Sequence, residues 1–256
     1  MYKMEQTNIV NYVNECVKEF MSYIGVNTFP AFSIITKEMN LEKSKQQGFD
    51  SMAAAFYDVQ TGTHRLEIWS KLYLPQLNAK YLVFHELTHI LDAEVYSQRD
   101  KWKHMSNKGY TEYHAGQIDF MKLLGAENIS SSFEFKMNQK IETVGGTKTA
   151  QEFVEMPRKL ASELIGREDF PANLETLAVT LGIIFNYYGR RSVCLMYAGD
   201  YDDSADMSVI EGFLGKDTVK AFNNYMVGWF EAKKVAPIDM LYGKMILALA
   251  QKNKLG

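Results

Sequence analysis

The apolar positions change period along the chain, and those changes mark its elements. Over residues 5–24, Ile9, Val13, Val17, Phe20 and Ile24 recur at three- and four-residue spacing before Gly25, which predicts an amphipathic helix. After Pro30 the run 31–36 predicts a short strand. Residues 52–59 and 64–70 flank Gln60-Thr61-Gly62-Thr63, where glycine can supply the positive φ of a tight turn, so a β-hairpin is expected. On its second strand His64, Leu66 and Ile68 share one face, and Arg65, Glu67 and Trp69 the other. That strand is read as an edge able to pair with an extended substrate.

From Asn78 to about Tyr96 the period becomes helical. Residues 97–109 are polar and read as a loop. Thr111 suits the N-cap of a further helix reaching Leu124, with Gly125 as its stop. Beyond it the spacing predicts helices over 131–143, 148–165, 173–188, 190–198, 205–214, 216–233 and 236–252. Pro157 is expected to kink the second of these, and Gly145-Gly146 to break the chain before it. The expected fold is α+β. Residues 1–125 would form a small, mostly antiparallel sheet packed on the helix of residues 78–96. Residues 126–256 would form a large all-helical portion that packs against the first and roofs a cleft or binds a partner.

Composition narrows the classes. The chain has 256 residues, 46% of them hydrophobic, enough to bury a core without staples. With 28 basic residues against 31 acidic, a nucleic-acid partner is not expected. Only Cys16 and Cys194 occur, which excludes a disulfide scaffold or a cysteine zinc cluster. Lys3, Glu5 and Gln6 interrupt any leader, and the most apolar stretch, residues 177–185, is far short of the roughly 20 residues a bilayer requires. A cytoplasmic protein without a membrane is expected. All five histidines (His64, His85, His89, His104 and His114) lie in the first half, so histidine chemistry must reside there.

His85-Glu86-Leu87-Thr88-His89 is an HExxH pentapeptide on a predicted helix. Two histidines four apart lie on one face, where both imidazoles can reach one ion, and Glu86 beside them can hold and deprotonate a water. A catalytic zinc needs a third protein ligand and an open position. Asp92 and Val95 stand where the extended metzincin motif would put its glycine and third histidine, so that variant is excluded. Tyr110-Thr111-Glu112-Tyr113-His114-Ala115-Gly116 offers two candidates. Glu112 and His114 point about 200° apart on a helix, so only one would face the metal. Glu112 is favoured because it shares its face with Ala115 and Asp119, and small residues there let helices approach closely. His114 is the alternative, and a first-turn carboxylate without a metal is the other. Asp92, three residues after His89, is a candidate acceptor for a ligand's second N–H, or an ordinary surface aspartate. His64 and His104 are read as non-ligands.

Phe84-His85-Glu86-Leu87-Thr88-His89 followed by Glu112-Tyr113-His114-Ala115 resembles the gluzincin side of the zincin metallopeptidases. The preceding hairpin and a Glu-x-x-Ala signature ending in Phe120-Met121 are similar to the ImmA/IrrE-type family. The resemblance covers roughly residues 30–125. It implies a zinc site of two histidines and a downstream-helix glutamate, and an intracellular protease, often of phage or mobile-element origin, that cuts repressor-like proteins.

The expected activity is peptide-bond hydrolysis by a zinc-activated water, with Glu86 as general base and then acid. Tyr110, Tyr113 and His114 are the nearest candidate donors to an oxyanion. The competing reading is a zincin-like binding or regulatory protein without proteolytic activity, and a non-proteolytic zinc hydrolase is a third. In the tail, Arg190-Arg191 after Gly189 is read as a helix C-terminal cap, and Asp200-Tyr201-Asp202-Asp203 as a solvated loop.

Overall fold

A computed structural model of the chain describes residues 2–39 and 52–255. It is α+β, with a three-stranded and a two-stranded sheet amid helices. Its residues form two compact units. One combines residues 1–104, 118–133 and 140–148; the other combines 105–117, 134–139 and 149–256. The units thus interleave along the chain rather than dividing it once near residue 125.

In the first unit, α1 (Tyr2–Ile24) buries Ile9, Val13, Cys16 and Phe20, a stripe at helical spacing. Strands β1 (Phe32–Lys37), β2 (Ala53–Asp58) and β3 (Thr63–Trp69) form a sheet in the order β1-β3-β2. β3 buries His64, Leu66 and Ile68 on alternate positions. The turn between β2 and β3 closes through Gly62, whose φ is +70° and whose N–H donates to Asp58 O at 2.7 Å.

The small sheet of the expected α+β fold pairs β3 antiparallel with β2 and parallel with β1. One expectation about it is corrected: β3 is its central strand, not an edge, because β1 covers the side that the local sequence left open. Among the described residues the free edge next to the hairpin is β2. Against this sheet lies α2 (Lys80–Asp92), which buries Val83, Phe84, Leu87 and Ile90 in a core with Leu66, Ile68 and the α1 stripe. A π-turn over Ala93–Ser97 follows it.

Residues 97–109 are not one loop. They contain α3 (Lys101–Ser106), whose first turn is capped by Asp100 Oδ1 accepting from Lys103 N at 3.0 Å. The next helix, α4 (Lys108–Leu123), begins before Thr111, whose hydroxyl donates to Lys108 O inside the helix. Thr111 is therefore not an N-cap. Glu19 accepts from Lys80 of α2 at 2.6 Å and from Lys122 of α4 at 2.5 Å, tying both helices to α1.

The expected helix over 131–143 does not exist. Residues 131–137 alternate between inward and outward positions, Phe135 bridges Ala198, and β4 (Lys140–Thr143) pairs with β5 (Gly146–Thr149). The period there is two, the period of extended chain.

In the second unit, α5 (Ala150–Ile165) opens on a Thr149–Glu152 capping box and runs on through Pro157. The helices expected over 173–188 and 190–198 are one, α6 (Leu174–Tyr197), capped by Asn173 Oδ1 on Thr176 N. Gly189 does not end it. A Cβ at Gly189 would strike Tyr113 O, and one at Gly116 would lie 2.7 Å from Asn186 O, so α4 and α6 cross with backbones in contact. Arg190 and Arg191 are consequently mid-helix and not caps. Arg190 stacks on Phe153, and Arg191 pairs through two nitrogens with Asp203. The acidic turn is thus not merely solvated; Asp200 also accepts from Met137 N at 3.1 Å. Helices α7 (Ser208–Leu214), α8 (Lys216–Tyr225) and α9 (Ala232–Lys252) complete the unit. α8 stops at Tyr225, short of the expected 233, and a segment free of regular structure precedes α9. No helix among the described residues is long and apolar enough to cross a membrane.

Candidate metal centre

α2 carries His85, Glu86 and His89. The four-residue spacing sets both imidazoles on one face, with ring centroids 4.8 Å apart and the Nε2 atoms 3.1 Å apart. His85 presents its other nitrogen, Nδ1, to Asp119 Oδ2 at 3.1 Å. Asp119 is 1% exposed, and a carboxylate oxygen facing Nδ1 favours the tautomer that carries its proton there. The Nε2 lone pair of His85 is thereby directed at His89.

Asp119 lies in the part of α4 that belongs to the first unit. α4 is one unbroken helix, and Glu112 stands seven residues before Asp119 on the same face. Glu112 falls with the two histidines: one ligand atom from each of His85, His89 and Glu112 lies within 4.8 Å of the others. All three residues are half-buried.

This donor set fits zinc. A tetrahedral zinc with Zn–N of about 2.0–2.1 Å separates two ligand nitrogens by about 3.3 Å, close to the 3.1 Å between the imidazoles. Two histidines and a carboxylate leave one position open, and half-burial keeps it reachable. Nearby, the Tyr242 phenol is raised above its ordinary range, first by burial and then by the Glu112 carboxylate. Comparisons of the chain with protein-family models, with curated proteins and with solved structures give no match.

Glu86, the residue after His85, reaches the sheet. Its Oε2 accepts from Ala55 N at 2.7 Å, an N–H on the free side of β2. The base candidate is thus held beside β2, an outer strand of the sheet among the described residues.

The other residues weighed for the site are placed elsewhere. Tyr110 is 1% exposed, and its hydroxyl accepts from Glu231 N at 3.0 Å. Tyr113 donates to Gly228 O, and burial raises its phenol. Gln117 donates from Nε2 to Ser192 Oγ and Gly228 O, both at 2.7 Å, and its Oε1 accepts from Phe230 N at 2.9 Å. Phe230 lies between the rings of Tyr110 and His114, with centroids 4.5 and 4.1 Å away. Tyr110, Tyr113, His114 and Gln117 form one i, i+3, i+4, i+7 face of α4. That face grips the 228–231 segment, where Tyr110 and Tyr113 bond to its backbone and His114 stacks on Phe230. His114 is not among the clustered ligands.

Asp92 is buried, and together with burial it raises the Tyr96 phenol to about 12, burial being the larger cause. His64 bonds through Nε2 to Glu94 Oε2 at 3.0 Å and stacks on Tyr57. His104 bonds through Nδ1 to Ser97 Oγ. Sequence reasoning named Asp119 on the Glu112 face but not its contact with His85, and it missed Ala55, whose place depends on which strand is the edge.

Proposed function

We propose that this chain is a zinc-dependent metallopeptidase of gluzincin type, with His85, His89 and Glu112 as metal ligands and Glu86 as general base. The observation that carries the reading is the convergence of the two Nε2 atoms and the Glu112 carboxylate, with Glu86 standing beside them at the sheet edge. Zinc bound there would supply Lewis acidity, polarising a carbonyl and bringing the pKa of a water to about 7.

The chain's own residues do the rest. Asp119 keeps the proton of His85 on Nδ1, so Nε2 stays a donor of electrons. Ala55 N–H donates to Oε2 of Glu86 and orients the carboxylate, which would take a proton from the attacking water and return it to the leaving nitrogen. The outer position of β2 among the described residues supports an extended protein or peptide as substrate, because such a chain can lie along a sheet edge next to Glu86. An intracellular setting and a repressor-like target belong to the same reading through the family resemblance.

The test is digestion of a mixed peptide library by the zinc-loaded chain, with new termini identified by mass spectrometry. Cleavage by the wild type, and none by a zinc-retaining Glu86→Gln variant, is the expected result. Equal cleavage by both would remove Glu86 from the base role. Zinc binding without any cleavage would favour the binding or regulatory alternative.

A further inference from the structure

Glycine inside a helix is unfavourable relative to alanine, so each interior glycine calls for a reason. α6 contains two, Gly182 and Gly189. Gly189 is explained by the backbone of α4, since its Cβ would meet Tyr113 O. Gly182 differs. The three heavy atoms nearest a Cβ at this position are Glu112 Oε1 at 3.3 Å, Cγ at 3.4 Å and Cδ at 3.5 Å. Its missing side chain makes room for the end of one carboxylate.

We propose that Gly182 is a positioning residue for the metal centre: its bare Cα is the wall against which the Glu112 carboxylate rests, directed to the point shared with His85 and His89. This rests on the reading of those three residues as the ligand set. Glutamate has three side-chain rotors, and a wall along one side removes conformers that point elsewhere. A methyl group at 3.3 Å from Oε1 would force the carboxylate aside by a few tenths of an ångström, and a branched side chain would displace it further. Because Glu112 reaches the histidines only through that end, displacement weakens or removes a ligand.

The experiment measures zinc affinity of the full chain by competition with a chromophoric chelator, alongside thermal unfolding of the metal-free protein. Gly182→Ala should raise the metal-free Tm by about 2 °C through helix propensity while weakening zinc binding about 10-fold. Gly182→Val should fall to the affinity of Glu112→Ala. In the Glu112→Ala background, where no carboxylate remains to be pressed, Gly182→Ala should leave zinc affinity within about twofold. Opposite movement of stability and affinity, lost in that background, is the signature; a glycine needed only for packing would not produce it. A zinc-binding wild type matched by both Gly182 variants would overturn the positioning role, as would a loss that persists in the Glu112→Ala background. Failure of the wild type itself to bind zinc would instead overturn the ligand set, and this role with it.

Discussion

Asp119 Oδ2 lies 3.1 Å from Nδ1 of His85, and Asp119 is almost wholly buried. The contact joins α4 to α2 and sets which imidazole nitrogen is bare. Asp119→Asn retains the size of the side chain but can present an N–H to His85 in place of a carboxylate oxygen. It should weaken zinc binding by about 10- to 100-fold, read by chelator competition, with the circular dichroism spectrum unchanged. Zinc affinity equal to wild type would show that Asp119 serves packing alone.

Ala55 supplies the N–H that Glu86 accepts, and β2 is an edge where proline is tolerated. Ala55→Pro should therefore keep the fold and the zinc while lowering kcat by about 10-fold or more, since it frees the base from its fixed orientation. A kcat equal to wild type would show that the contact does not position Glu86.

Gln117 is fully buried and bonds to Ser192, Gly228 and Phe230. Gln117→Ala leaves these groups without that partner and should cost about 1–3 kcal/mol in denaturant unfolding. Zinc affinity should stay near wild type, because the face that grips residues 228–231 is not the Glu112 face. Strong loss of zinc with unchanged stability would reverse that assignment.

Much of the helix that carries His85 and His89 was legible from periodicity alone. The HExxH spacing, the alternation of His64, Leu66 and Ile68, and Gly62 in its turn are local signals that the structure keeps. What was not legible depended on partners distant in sequence. The position of β3 is decided by β1, some thirty residues away, so an amphipathic strand looked like an edge. Residues 131–137 carry Phe133, Phe135 and Met137 at alternate positions, and reading them at helical period was an error of period, not of information. The N-cap at Asp100 was likewise visible, but α3 is mostly exposed and shows no apolar stripe. Gly189 looked like a helix stop because its actual reason, the carbonyl of Tyr113, lies on another helix.

Glu19 gives the pH dependence a definite sign. Burial alone would raise its carboxyl, but hydrogen bonds from Lys122 and Lys80 outweigh this and hold it below its ordinary value of 4.5. A depressed native pKa adds stability above the unfolded value, and that stability is lost as pH falls through the native one. Thermal unfolding between pH 6 and about pH 3 should accordingly show a smaller acid loss for Glu19→Gln than for wild type. Parallel pH profiles for the two proteins would exclude this group.

The central claim is that His85, His89 and Glu112 hold one zinc ion, and metal analysis tests it most directly. The purified chain is loaded with zinc, desalted and assayed by mass spectrometry beside His89→Ala. About one zinc per chain is expected in the wild type, and a folded His89→Ala should retain almost none. A folded wild type without zinc, or a His89→Ala variant that holds as much, would contradict it.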